Sequence, residues 1–438
     1  MYFKCSIVCF AGFLSVLSAV EIESDPINYW TKESNDPIAQ LQRRIDAGEA
    51  SLRAETPQAA LQQLLDYLGV PVESQVLVYS QTSAQNSRIR PMRPRAIYFS
   101  DDCYVGWVQG GGIEVISFDE TLGAILYFID IAKFDGELEP PITRPRSCLN
   151  CHERSTTGNV PGVLVRSVFP GSDGMPYFSA GTFYVDDSTP IENRWGGWYV
   201  TGRSGRKSHM GNMLATENDT GVELKPIADG GTQLDDLSSV INVKPYLGGG
   251  SSDIVALMIL EHQTEMHNTL VSASLSIRQL THRTEQMHKS FGEPMPAEPE
   301  GTLKRVIESQ ARKVVEQLLF QDELILEDDG VEGGEDFSEA FLAKRLPGPE
   351  NRSLRDLRLY ERIFKFRCSY VIYSKIFDHM PALLKDEVYR QLFAALSGSE
   401  GTDSSNHLSW TERERIREIL IATKEDLPAY WAEAPAGG

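Results

Sequence analysis

The chain has 438 residues, with 62 Asp and Glu against 42 Lys and Arg and a formal net charge of −20. That balance argues against nucleic acid, which calls for a basic footprint, and against docking on anionic lipid. The length suits two domains, each able to bury a core. Beyond residue 20 only Cys103, Cys148, Cys151 and Cys368 remain, too few for a disulfide framework.

The first twenty residues, "MYFKCSIVCFAGFLSVLSAV", carry one cation, Lys4, then an apolar run from Ile7 to Val20, then the acidic "EIES". This is the layout of a secretory signal with a cut near Ala19. An uncleaved anchor is the rival reading, and Cys9 lacks the surroundings of a lipidation site. No later stretch is apolar enough to span a bilayer. The mature chain is expected to be exported, periplasmic in a bacterium, and without a transmembrane segment. Its acidity is explained by solubility, or by attraction to a basic redox partner.

Residues 20–75 form a helical lead-in. In "ETPQAALQQLLDYLGV" Ala60, Leu61, Leu64, Leu65 and Leu68 fall at helical spacing, with Pro57 near the start and Gly69 at the end. Residues 76–250 are strand-rich. "SQVLVYS", "RAIYFSDDCYVGWV", "GGIEVISFD" and "GAILYFIDIA" are short β-branched and aromatic runs split by Gly, Asp and Ser. A proline-rich approach leads to residues 148–152. Further strand-like pieces follow, then a glycine-rich basic loop "GRSGRKSHMGNM" and the polar, irregular "ENDTGVELKPIADGGTQ". Residues 251–438 are helical: a long helix whose apolar stripe includes Val255, Ile259, His262, Met266 and Leu270, a second over "TLKRVIESQARKVVEQLLF", and three more near 354–378, 383–397 and 410–423. The fold class is α+β, a strand-rich front half followed by a mainly helical C-terminal half.

The stretch "CLNCH", Cys148 to His152, carries the chemistry. Structural zinc takes four ligands, commonly from two close pairs, and no second pair exists here. A thioredoxin-like dithiol has no need of the histidine. Covalent haem c needs two thiols for the two vinyl groups and an imidazole beside them for the iron. C-x-x-C-H supplies both.

On these residues the chain resembles the c-type cytochromes. The resemblance implies one haem c, with thioethers at Cys148 and Cys151 and His152 as the proximal iron ligand. Through "IYFSDDCYVGWVQGG", "RWGGWYVTG", "HMGN" and "FRCSYVIYSKIFDHMP" the wider chain is similar to a group of large exported mono-haem bacterial proteins of undefined activity. It departs from small cytochromes c in its size and its long strand-rich lead-in.

The ligand on the far side of the iron decides the chemistry. The loop "SHMGNM" offers His209 and Met210, with Arg203, Arg206 and Lys207 as partners for haem carboxylates. The rival is His262 on the long helix, which as an inward histidine needs a partner. His267 falls on a flank of that helix, and His282, His288 and His407 sit in polar surroundings. Arg146 and Arg154 flank the motif. Trp195, Trp198 and Tyr199 wall a haem or fill core. Cys103 and Cys368 are the remaining pair available to an oxidising compartment. The expected function is single-electron transfer to a redox partner protein. The alternative is a haem enzyme, a peroxidase or small-molecule oxidoreductase with an open distal site, using Glu261 or Glu265 with His262 or His209 for proton transfer.

Overall fold

Short β-branched and aromatic runs begin at Val76, and from there the chain builds one sheet. The computed structural model describes residues 20–131, 139–219, 221–327, 329–398 and 403–432. The signal-like segment 1–19 lies outside them. Six strands run in chain order: β1 (Val76–Val78), β2 (Arg95–Phe99), β3 (Cys103–Trp107), β4 (Ile113–Asp119), β5 (Gly123–Ile129) and β6 (Ile142–Thr143). Every neighbour is antiparallel, and short turns join β2 to β3, β3 to β4 and β4 to β5.

The two faces of this sheet differ. Ala96, Tyr98, Val105, Trp107, Val115 and Tyr127 point into core. That face is covered by α1 (Pro37–Asp46) and α2 (Pro57–Leu68). Gly69 ends α2 in the left-handed region, as the sequence predicts, and Thr56 caps its start through its side chain. On the opposite face Arg95, Ile97, Glu114, Ile116 and Phe128 are only half-buried. After the helical turn α3 (Leu149–His152) come the hairpin β7 (Arg166–Val168) with β8 (Thr182–Tyr184) and a second, β9 (Met213–Asn218) with β10 (Gly221–Pro226). This second hairpin occupies part of the segment expected to be irregular. Only Ala215 of it is buried, so no apolar alternation marks it.

The back half is helical, as expected: α4 (Ile254–Phe291), α5 (Gly301–Leu318), α6 (Glu335–Leu342), α7 (Lys375–Asp378), α8 (Ala382–Ser397) and α9 (Trp410–Thr423). The helix expected near 354–378 is instead a small hairpin, β11 (Leu357–Tyr360) with β12 (Arg362–Phe364), followed by a 3-10 turn and α7. Leu359 and Glu361 hold positive φ of 62° and 61°, which a helix forbids. None of the helices among the described residues is long and apolar enough to cross a membrane. Cys103 and Cys368 are both buried free thiols, so they do not pair.

The 38-residue α4 is the axis of the molecule. Asp253 caps it, accepting from the Val255 and Ala256 amides. It packs against α5, α6, α7 and α8 on one side and β5 on the other. Gly123 of β5 lies so close that an added Cβ would stand 2.5 Å from a methyl of Val271. With cover on both sides, α4 has no polar flank along its first half. His267, expected on a flank, is 1% exposed, with Nδ1 2.8 Å from the Tyr104 hydroxyl and its ring 4.3 Å from that of Phe118.

Burial holds the His267 pKa down to about 3, with Asp101 pulling the other way. The unfolded chain takes up this proton near pH 6.5. Stability contributed by the neutral ring is therefore complete above pH 6.5 and is lost as pH falls toward 3. Between pH 7 and pH 4 the stability of His267→Phe relative to wild type should rise by about 3 kcal/mol, followed by urea unfolding. A difference independent of pH would contradict this placement.

Candidate functional site

The approach to the motif is fastened before the motif begins. Arg144 lies over the rings of Tyr29 and Trp30 and donates to the Tyr29 carbonyl at 2.9 Å. Arg146 stacks over Trp30 at 4.5 Å and pairs with Glu23. Tyr29 in turn donates to the Ala124 carbonyl of β5. Cys148 ends a 3-10 turn, Arg146–Cys148, and Cys151 lies in the helical turn that follows. Both thiols are free, Cys148 half-buried and Cys151 exposed.

Residues 152–163 then close on themselves. The Gly162 amide donates to the His152 carbonyl at 2.9 Å, and His152 Nδ1 lies 2.9 Å from the Gly162 carbonyl oxygen. A carbonyl can only accept, so Nδ1 carries the proton and Nε2 keeps its lone pair. Thr157 braces the interior of the loop: its hydroxyl accepts from the Arg154 amide at 3.1 Å and lies 2.7 Å from the Val160 carbonyl. Asn268 of α4 holds the far end, accepting from the Val163 amide at 2.9 Å and donating to the Val163 carbonyl at 2.8 Å. Gly162 is required there, because a Cβ would stand 2.4 Å from Asn268 Oδ1. Burial lowers the proton affinity of His152, which keeps the ring neutral, the form a metal binds.

The motif lies near the half-buried face of the sheet. Glu114 acts on both His152 and Cys148, and Arg95 on His152. Arg95 and Glu114 pair at 2.8 Å across Gly106, where an added Cβ would meet nothing closer than 3.7 Å. Arg95 Nε is buried without a partner. Nothing in the residue order marks Arg95, because its partner Glu114 lies on another strand. A flat prosthetic group with two thioether links, one imidazole ligand and acidic substituents fits this set: two free thiols, an oriented neutral imidazole, an apolar face of Ile97 and Ile116, and an under-used guanidinium.

The expected distal ligands are placed elsewhere. Met210 is buried, and the Ser167 hydroxyl donates to its sulfur at 3.6 Å. His209 is 2% exposed, edge-on to Trp195 at 5.1 Å, with Nδ1 unpartnered and burial taking its pKa down to about 4. His262 is 0% exposed and both ring nitrogens are taken: Nδ1 lies 2.8 Å from Asp187 Oδ2 and Nε2 2.7 Å from Ser369 Oγ. Its lone pair is used by the Ser369 hydroxyl, leaving none for iron. These contacts tie the three residues to Trp195, Ser167, Asp187 and Ser369, not to Cys148, Cys151 or His152.

Other expected residues are spoken for. Trp195 donates to Glu261 at 2.7 Å, and Arg194 to the other oxygen of the same carboxylate at 2.7 Å. Trp198 donates to the Arg166 carbonyl and Tyr199 to that of Pro91, so these aromatics are core. Arg203 pairs with Asp235, Arg206 with Asp329 and Lys207 with Glu327. Arg154 donates to the Asn150 carbonyl. His407 bonds the Leu319 carbonyl, and the His288 side chain, only 18% exposed, lies 3.6 Å from Glu293. Among the described residues no group of three or more His, Cys, Asp or Glu is disposed to hold a bare metal ion.

Asn268→Ala should leave the Val163 amide and carbonyl unpaired in a buried place. We expect a loss of about 1–3 kcal/mol in unfolding free energy and faster hydrogen exchange at the Val163 amide. Exchange at wild-type rates would mean that the loop is held by other contacts.

No family model, no curated protein and no solved structure matches the chain.

Proposed function

We propose that the chain is an exported c-type cytochrome carrying one covalent haem c at Cys148 and Cys151, with His152 as the proximal iron ligand, and that it passes single electrons to a redox partner. One observation carries this reading: the Gly162 carbonyl fixes the tautomer of His152, so Nε2 presents a lone pair within one turn of two free thiols. The bound haem would supply a one-electron iron couple. The chain's part is to hold the imidazole neutral and oriented, to shield one edge of the site with the sheet face, and to offer Arg95 to an acidic substituent. The acidic surface favours a basic partner.

A second reading follows from the distal candidates. His262 is saturated, the Met210 sulfur is engaged by Ser167, and His209 packs on Trp195. That arrangement favours a distal position open to an exogenous ligand, as a haem enzyme or a ligand-binding haem protein requires. Proton-transfer groups would then come from outside Glu261, which Arg194 and Trp195 occupy.

The test is mass and spectrum on protein exported with the haem-attachment machinery. The intact mass should exceed the polypeptide by one haem, and Cys148→Ala with Cys151→Ala should abolish the addition. A polypeptide of unmodified mass would end both readings. With haem present, a ferrous spectrum insensitive to carbon monoxide selects the carrier. A shifted spectrum selects the open site. His209→Ala should leave either spectrum unchanged if His209 stays on Trp195.

A further inference from the structure

A cleft of 420 Å³ opens between α4, α5 and the loop after β8, with Ser155, Thr156 and Gly158 of the motif's loop on its rim. That volume suits a small molecule. Six carboxylates line it: Asp186, Asp187, Glu265, Glu316, Asp322 and Glu323. Lys313 is the one cationic side chain among the lining residues.

Acidity alone does not make a site, but Asp187 is built differently from a solvated carboxylate. It is 5% exposed. His262 Nδ1 donates to its Oδ2 at 2.8 Å and Gln317 Nε2 donates to the same atom at 3.2 Å. Ser369 fixes the other side of the His262 ring at 2.7 Å, and Phe320 stacks on it at 4.2 Å. These contacts orient the carboxylate. Its Oδ1 is buried with no partner. A buried acceptor left unmade is costly, and a rigid frame that maintains one calls for a donor from outside. Glu265, half-buried across the cleft on α4, makes no side-chain hydrogen bond among the described residues.

We propose that this cleft binds a compact organic cation, an amine or guanidinium, whose N–H groups donate to Asp187 Oδ1 and Glu265 while its carbon skeleton lies against Phe320. A bare metal ion is a poorer occupant, because no three ligating side chains converge among the described residues. Charge repulsion fits the same occupant. Burial together with Asp186 and Asp187 takes Glu265 up to about 7, and burial takes Glu323 up to about 8 despite the Ile363 amide. Facing these groups are Asp186 and Asp187 from the loop after β8, Lys313 and Glu316 from α5 with Arg312 behind Glu316, and Asp322 from the turn after α5. Arg194 is committed to Glu261, deeper on α4. A bound cation would drive the proton from Glu265, so binding should tighten as pH rises through 7.

The test is calorimetric titration of the full-length holoprotein with agmatine, which carries both a guanidinium and an amine. Binding should be about tenfold tighter at pH 8 than at pH 6, as the ionised fraction of a group near pH 7 changes. Glu265→Gln should weaken it at least about tenfold at pH 8, with an unchanged far-UV spectrum showing that the fold is intact. Tetramethylammonium, which cannot donate, should bind far more weakly. No binding of agmatine by the wild type at millimolar concentration would overturn the proposal. So would wild-type affinity in Glu265→Gln, or equal affinity for tetramethylammonium.

Discussion

The structure depends on a row of buried polar side chains along one half of α4. Glu261, His262, Gln263, His267 and Asn268 are all buried in the middle of a helix covered on both sides. Each would be costly there without partners. Each instead binds a different piece of chain: Glu261 takes Arg194 and Trp195, and His262 takes Asp187 and Ser369. Gln263 donates to the Ser100 carbonyl and the Tyr104 hydroxyl and accepts from Tyr370, His267 meets Tyr104, and Asn268 holds Val163. Apolar packing alone would allow these segments to slide, because area burial has no direction. Hydrogen bonds to named atoms fix them. The division read at residue 250 thus falls just before the helix whose side chains bind both halves.

Both candidate sites hang on that row. The loop that orients His152 is anchored at its far end by Asn268, and the carboxylate that faces the acidic cleft is aimed by His262. Between Asn268 and His262 runs less than two turns of helix, so the two sites share one rigid support. The same rigidity explains why His262 cannot also serve a metal. Its ring is the link between Asp187 and Ser369, and neither neighbour leaves it a free nitrogen.

Much of this was legible in the residues, and the illegible parts have physical reasons. The apolar spacing and Gly69 stop of α2, the β-branched and aromatic runs of β2 to β5 and the apolar stripe of α4 all announced themselves in the residues. The hairpin of β9 and β10 buries almost nothing, so its pattern is that of a loop. Segment 354–378 opens with the helix formers Leu and Arg but turns through left-handed backbone at Leu359 and Glu361. His267 was misplaced because a flank exists only for a helix with one wet side. The motif at Cys148 to His152 was visible as spacing. The hydrogen bond to Gly162 was not, since it depends on how the segment between the two residues, 153–161, closes.

There is a consequence for how this chain can change its length. Successive residues of an α-helix are turned by about 100°, so Glu261, His262 and Gln263 point to three different walls. Substitutions at the exposed end, near Met287 and Phe291, disturb one spot each. Inserting or removing a single residue between Asp253 and Glu261 would rotate every later partner past its target at once. The loops outside α4 can grow or shrink around it. The stretch from Asp253 to Asn268 behaves as a fixed frame, in which the count of residues matters as much as their identity.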